Sequence, residues 1–372
     1  MFLDACAIGE GQTEVTIREE RGRAERLRQL MPSVEDRPDA MVALARQFAA
    51  IGETAAALDL AARARDLLPG DGEAATLAAE LLSDGVPAWH FALLRDEVRN
   101  RAYDQAIRRA VTPGCTVLEI GTGSGILAMM AARAGARVVT CESNPAVAAA
   151  ARAVIAANRL SDRITVIGKH STALDPVADM GGRADLLVSE IVSNDLLSEG
   201  VLPAHADAVA RLLKPGAPVV PARGTIRVAL ANDRHWAAAR IGNVAGFDLS
   251  QFNRIARPYR EMRVDGPRLV IRSDPADLFA FDFAAAAPSH DRRAQLSLVS
   301  SGGQVDGIVQ WIALDLDTVG SYENAPHAGT YSCWASIFWP FAAPIDSRPG
   351  DIFRLGGYHT ADRFRCWHEP NL

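Results

Sequence analysis

Two acids, Glu190 and Glu199, stand nine positions apart in SEIVSNDLLSEGVLP (residues 189–203). The first closes an apolar run, ADLLVSE (residues 184–190), which reads as the end of a buried strand; the second lies in the loop that follows. Two carboxylates at the rim of a sheet are suited to gripping a cation through charge-assisted hydrogen bonds. Taken singly, each acid has a plainer reading: Glu190 as a cap for the next helix, Glu199 as a solvated helix residue.

A second cluster of chemistry-bearing residues precedes them. LEIGTGSG (residues 118–125) follows a strand and opens a helix, with Gly121, Gly123 and Gly125 spaced GxGxG. Glycine suits a backbone that must pass close to a ligand without Cβ atoms. Dinucleotide sites usually carry GxGxxG. The tighter spacing, with Glu119 inside the strand end, points to S-adenosylmethionine. The next strand ends in Glu142, where a carboxylate can accept both ribose hydroxyls. The glycines alone are also compatible with an empty tight turn, and Glu142 alone with a surface acid; their combination carries the assignment. Cys141 beside Glu142 reads as packing. The sequence has no metal-ligand cluster and no serine nucleophile elbow. It also lacks the Asp-Pro-Pro-Tyr type of motif used on bases, which moves the acceptor away from nucleobases.

These residues need a scaffold, and the text supplies one. Up to about residue 85 it reads as helical: residues 38–82 carry small apolar residues at helical spacing, interrupted at Gly52 and at PGDG (residues 69–72). Ala45, Gly52, Ala57 and Pro69 fall near the positions of a tetratricopeptide unit; an ordinary helical hairpin fits as well. Residues 86–220 read as one domain, in which the chain from Val117 to about Val220 alternates strand and helix (TVLEIG, RVVTCE, ITVIGK, DLLVSE), the pattern of a Rossmann-like parallel sheet. Residues 221–372 change register to GTIRVAL, RLVIRS, LFAFDF, QLSLVSS, GIVQWIALDLD, YSCWASIFWPF and DIFRLGGYH, read as successive strands of an antiparallel β-barrel. An irregular, partly helical insertion, residues 235–262, interrupts the first of them.

Bulk properties narrow the function classes. The 372 residues are enough for two or three domains. A net charge of −6 argues against nucleic acid or an anionic membrane surface as partner. Five scattered cysteines without a CxxC pair imply neither a disulfide framework nor a zinc site. Lysine occurs only at Lys169 and Lys214 in an alanine- and arginine-rich chain, a bacterial style of composition. The start lacks a signal peptide's basic and apolar regions, and no apolar run reaches membrane-spanning length, so a cytoplasmic protein is expected.

From Trp89 onward, and most strongly between Phe91 and Pro221, the chain resembles the protein arginine methyltransferases. LLRDEVRNRAY (residues 93–103), LEIGTGSGILAMMAARAGA, KPGAPVVPARGTI (residues 214–226) and GFDLSQF (residues 246–252) carry the likeness. The opening stretch matches that family's double-glutamate loop. It lacks the Trp-Met-Gly-Tyr of dimethylating members and is similar to the monomethylating type III branch, as is GKHST (residues 168–172). The resemblance implies that Arg99 holds the carboxylate of S-adenosylmethionine. It assigns Glu119, the three glycines, Glu142 and Ser143 to the cofactor, with His170 and Ser171 at its adenine. Glu190 and Glu199 would then clamp a planar guanidinium and aim one nitrogen at the methyl group, Glu190 also bordering the cofactor, while Leu93, Asn194 and Trp334 line the substrate side. An arm at about residues 233–265 would make a homodimer. One departure stands out: where many members have Thr-His-Trp, whose His pairs with an Asp, this chain has Ser332-Cys333-Trp334 opposite Asp96, and a thiol cannot replace an imidazole.

The expected activity is thus Nω-methylation of arginine, monomethylating, on free L-arginine or on an arginine-containing peptide or protein. Two other readings compete: a methyltransferase for another amine or amidine, and a scaffold whose helices bind a partner.

Overall fold

Two helices joined at a glycine form the centre of the N-terminal helical part. The computed structural model describes residues 22–68, 70, 72–233, 240–263, 269–285, 291–326 and 331–369. Helix α1 (Pro38–Ala50) starts with proline, whose missing N–H is no loss in a first turn. It buries Met41, Leu44, Ala45 and Phe48, a helical stripe. Gly52, at φ +75°, turns the chain, and α2 (Thr54–Leu67) answers with buried Ala57, Leu60, Ala61 and Ala64. Alanines on that face let the helices approach closely. α3 (Glu73–Ser83) adds Ala75 and Ala78. Pro69, one of the repeat positions, lies outside the described residues. These helices, up to Pro87 and together with Asn144–Ala150, form one compact unit; Ala88–Ser143 with Ala151–Leu372 form the other.

The second unit starts with α4 (Trp89–Arg95) and α5 (Glu97–Ala110). Asp96 caps α5, its Oδ1 accepting from the Arg99 amide at 2.9 Å. Five parallel strands follow: β1 (Thr116–Ile120), β2 (Arg137–Cys141), β3 (Ile164–Ile167), β4 (Leu186–Ser189) and β5 (Val219–Val220). Their order is β3-β2-β1-β4-β5. β1 and β4 are almost wholly buried and read as continuous apolar runs, as strands covered on both faces must. The connections are α6 (Ile126–Arg133) after β1, α7 (Pro145–Ala157) after β2 and α8 (Val201–Asp207) after β4. Strand order reverses at β1, and the register pairs Ile120 with both Cys141 and Ser189. The glycine loop, Glu142 and Glu190 therefore leave neighbouring strands at one sheet edge, the switch point where ligands bind in such folds.

The last part is an eight-stranded antiparallel sheet with the path β10-β6-β12-β14-β15, where β6 is Arg223–Asp233, β10 Leu269–Ile271, β12 Arg292–Asp315, β14 Ser336–His359 and β15 Phe364–Glu369; β11 (Ala276–Asp282) pairs with β6, β13 (Ser321–Glu323) with β12 and β9 (Arg260–Met262) with β14. Four of the strands expected from sequence are two: QLSLVSS and GIVQWIALDLD are one strand, β12, and SIFWPF and DIFRLGGYH are both within β14. The glycines and prolines between them mark irregularities, not turns. The β12–β14 pairing shifts register after Val299 and after Val305, with Gly302 and Gly303 both at φ +91°. Such bulges bend a long strand without ending it. YSCWA precedes β14 instead of belonging to it. One hydrophobic core joins this sheet to the parallel one, from Leu118 and Leu187 through Leu196 to Phe283 and Ile312. Gly224 permits the join, since a Cβ there would meet Phe283 Cζ at 2.5 Å.

Within the insertion, residues 240–263 are described. A short hairpin, β7 (Asn243–Val244) and β8 (Phe247–Asp248), turns at Ala245 and Gly246, both at positive φ. One irregular helical turn follows (Ser250–Ile255), then β9 (Arg260–Met262) on β14. Residues 234–239 and 264–265 of the expected arm lie outside the described residues.

Candidate active site

The glycine loop is held open by backbone geometry. Gly121, Gly123 and Gly125 have φ of +82°, +51° and +82°, the region only glycine adopts without strain. A Cβ on Gly121 would lie 2.7 Å from Ile191 Cγ2, and one on Gly125 3.2 Å from Ile155 Cδ1. Gly123 is different: its nearest neighbour is His90 Nδ1 at 3.9 Å, so the loop faces an open cradle beneath α4. Glu142 stands at its side, Oε2 accepting from the Gly123 amide at 3.1 Å. Ser143, next in sequence, is exposed.

Glu119 points the other way. It is 1 % exposed, and its Oε1 accepts from the Ala128 amide at 3.1 Å. Burial pushes its carboxyl up to about 8. It braces the first turn of α6, and through it the loop, from inside the domain. His170 and Ser171 follow β3 beside Glu142, whose amide donates to Ile167 O at 3.0 Å. Ser171 is buried; His170 is exposed and bonds Thr172.

Arg99 is buried at 2 % exposure. Its Nη1 donates to Leu93 O at 2.9 Å and its Nη2 pairs with Glu190 Oε2 at 3.2 Å. The guanidinium also lies 5.5 Å from the Tyr103 ring and 5.8 Å from the Trp334 ring. Burial opposes the charge but is outweighed, chiefly by Glu190, so the cation is held above its ordinary value. One donor, Nε, is buried without a partner. An orphaned guanidinium donor beside the glycine loop's strand ends fits an incoming carboxylate.

The two acids meet in one cavity of about 130 Å³, lined by Trp89, Leu93, Glu190, Val192, Ser193, Asn194, Glu199, Cys333 and Trp334. It gathers all five residues assigned to the substrate side. Burial raises Glu190 to about 8 against the pull of Arg99, and Glu199 adds to the rise. Glu199 reaches solvent as a residue, yet its carboxyl within the cavity is held up at about 7 by burial and then by Asp195. The loop between them is tied by its own side chains. Asp195 Oδ1 accepts from the Leu197 and Ser198 amides and from Ser193 Oγ at 2.6 Å, which also keeps Leu196 at φ +73°. Glu190 therefore does not cap a helix; it closes β4 and faces the cavity.

Residues the sequence did not single out complete the wall. Trp89 and Val192 lie within apolar stretches with no distinguishing spacing. Tyr322 resolves the missing histidine: Asp96 Oδ2 accepts from the Tyr322 hydroxyl at 2.6 Å and from the Cys333 amide at 3.0 Å. Trp334 is fixed by its indole N–H, which donates to Val192 O at 3.0 Å, and by an edge contact with Tyr322 at 5.4 Å. Asn194 is more tie than reader, since its Oδ1 accepts from the Ala335 amide at 2.8 Å. Among the described residues no group of acids, histidines and cysteines could hold a metal.

Comparison with known proteins agrees with this geometry. A family model described as ribosomal protein L11 methyltransferase (PrmA) matches residues 103–222. An arginine N(omega)-methyltransferase of Streptomyces achromogenes subsp. streptozoticus is 39 % identical over 315 residues, covering 84 % of this chain and 86 % of that protein. Protein arginine N-methyltransferase 7 of Oryza sativa subsp. japonica is 36 % identical over 63 % of this chain, which spans 36 % of that longer protein. Among solved structures, a Trypanosoma brucei PRMT1 enzyme-prozyme complex with AdoHcy superposes with a TM-score of 0.67 at 21 % identity, over 77 % of this chain and 98 % of that one. Arabidopsis thaliana protein arginine methyltransferase 10 gives 0.61, also at 21 % identity, over 75 % and 95 %.

Proposed function

The chain belongs to the arginine methyltransferase family, S-adenosylmethionine-dependent enzymes, and on that premise we propose that its acceptor is free L-arginine, converted to Nω-methyl-L-arginine. The observation that carries the reading is the small cavity holding Glu190 and Glu199 beside the glycine loop. The similar Streptomyces protein, matched along most of its length and described as an arginine N(omega)-methyltransferase, supports it.

In this reading Glu142 and the glycine loop hold the nucleoside part of the cofactor, and Arg99 Nε its carboxylate. When bound, S-adenosylmethionine supplies an electrophilic methyl on a sulfonium. The protein's work is then positioning. Glu190, anchored from behind by Arg99, presents its other oxygen to the guanidinium, and Glu199 closes the clamp. Two carboxylates draw positive charge onto the nitrogens they bind and leave the terminal nitrogen aimed at the methyl richer in electrons. Arginine's own pKa, far above the physiological range, rules out its prior deprotonation, so a proton leaves as the new bond forms. Glu199, raised to about 7 and open to solvent, is a base suited to take it. Asp96 is not: Tyr322 and Cys333 occupy it. Monomethylation follows if the wall set by Trp89, Leu93 and Trp334 leaves no room for a methylated nitrogen to return. We also propose a homodimer through the insertion, supported by its exposed apolar side chains.

The test is methyl-labelled cofactor with free L-arginine in one reaction and arginine peptides in another, products identified by mass spectrometry. Turnover of free arginine, stopping at one methyl, is expected. Turnover of peptides alone would overturn the acceptor reading. Glu190→Gln should abolish transfer while leaving cofactor binding intact.

A further inference from the structure

A second concavity adjoins the clamp and has no role in the chemistry described above. It shares Ser193 and Asn194 with the clamp cavity and is further lined by Asp195, Tyr259, Glu261, Trp339 and Arg365. Asp195 is committed to its own loop, but Arg365 and Glu261 form no ion pair among the described residues. Arg365 lies 5.9 Å from the Tyr259 ring and 5.9 Å from the Trp339 ring, and spends one nitrogen on the neighbouring Phe364 carbonyl. It pairs with no carboxylate among the described residues, although Glu261 borders the same space. Trp339 is 5 % exposed, and its indole N–H is buried with no acceptor. A buried donor left unpaired is costly, which suits an acceptor brought by a ligand.

We propose that this pocket receives the α-amino-acid end of free L-arginine: Arg365 and the Trp339 indole N–H bind the α-carboxylate, and Glu261 binds the α-ammonium. The proposal rests on the free-arginine reading and gives it a recognition site. The chemistry matches on three counts. A zwitterion bridges a cation and an anion that border one space without pairing to each other. Trp339's missing acceptor is met by a carboxylate oxygen. The reach also fits: five bonds of about 1.5 Å separate the guanidinium carbon from Cα, roughly 6 Å when extended, a span suited to two cavities with a common wall at Ser193 and Asn194. An arginine within a peptide has neither charge at Cα, and would leave Arg365 and Glu261 both desolvated and unanswered.

The experiment compares kcat/KM for three acceptors: L-arginine, agmatine, which lacks the carboxylate, and Nα-acetyl-L-arginine, which lacks the ammonium. A charge-assisted, bidentate contact supports an effect on the order of 10–100-fold. Arg365→Gln should lower kcat/KM for L-arginine by that factor and for agmatine by less than about threefold, with Arg365→Lys in between. Glu261→Gln, at a more exposed position, should weaken L-arginine and agmatine but leave the acetylated acceptor unchanged. Equal losses on all acceptors would show that these residues only support the fold and would overturn the assignment. Unchanged ratios with active variants would also overturn it, while leaving free arginine as the acceptor. Failure of the unaltered enzyme to turn over L-arginine at all would remove both proposals.

Discussion

At the scale of single residues, the site is governed by acids that burial keeps reluctant to ionise. A carboxylate grips a guanidinium only when charged, so the raised values of Glu190, about 8, and Glu199, about 7, belong on the acid side of the activity profile. The sign is direct: below pH 7 both acids are increasingly protonated and the proposed clamp is off; above pH 8 it is on. We expect kcat/KM to climb between about pH 6.5 and 8.5, with the limb in kcat displaced to lower pH because bound substrate favours the charged form. A profile flat from pH 6 to 9 would contradict this. Tyr322 makes the second residue-scale case. It occupies the acceptor that a histidine takes in many relatives, and burial with the Asp96 bond raises its hydroxyl well above the ordinary range, so it donates and does not titrate. Tyr322→Phe strips Asp96 Oδ2 of its hydroxyl partner, leaving it only the Cys333 amide, and costs Ser332 one of its two partners, the Trp334 amide remaining. Thermal or denaturant unfolding should register a loss of about 1–3 kcal/mol. The pH profile should keep its shape, as expected for a positioning residue and not for a proton relay.

At the scale of elements, what could be read in the sequence was what local spacing encodes. Four of the five parallel strands, the glycine loop and the two acids were legible because each is a short run with its own signature; β5, only Val219–Val220, is too short to carry one. The cavity that unites Leu93, Asn194, Glu190, Glu199 and Trp334 followed from family resemblance, because nothing local ties residues so far apart. The long strands β12 and β14 were misread, since a bulge with Gly302, Gly303 or Pro349 looks like a turn until its partner strand is known. Tyr322 carried no signal at all: its role depends on Asp96, 226 positions away. The glycine loop shows how tightly an element can specify one atom. Gly121→Ala places a Cβ 2.7 Å from Ile191 Cγ2 and demands φ +82° of a residue that resists it by about 1–2 kcal/mol. Ile191 follows Glu190, so the displacement passes directly to the clamp. Calorimetry and kinetics should show weakened cofactor binding together with more than about a tenfold loss of kcat. Adding Ile191→Ala should recover part of kcat by removing the clash, but not the backbone strain. Full recovery would mean that φ at this position is not a constraint.

At the scale of the whole molecule, the insertion is the feature that a single chain does not explain. Ile241, Val244, Phe247, Leu249, Phe252 and Ile255 lie within fifteen residues, and each is between 43 % and 75 % exposed. A run of apolar side chains this dense, on a segment that buries nothing of its own, is more than the scattered hydrophobics any surface carries. No helix among the described residues is long and apolar enough to cross a membrane, so a spanning helix gives no use for it. The proposed second copy does, and a two-fold contact needs only one self-complementary or reciprocal patch. Covering Phe247 and Phe252 alone, at about 25 cal/mol per Å² of apolar surface, contributes on the order of 2–5 kcal/mol per protomer. Charging both, Phe247→Asp with Phe252→Asp, should therefore turn a dimer into a monomer in light scattering. The core of each unit contains neither residue, so the unfolding midpoint of the isolated chain should move little. If the arm also completes the site, kcat falls with the dimer and recovers with rising concentration of a milder variant, Phe252→Ala. A variant that is monomeric at every concentration and fully active would separate assembly from catalysis, and a wild-type chain that is already monomeric would leave the apolar arm to a different partner.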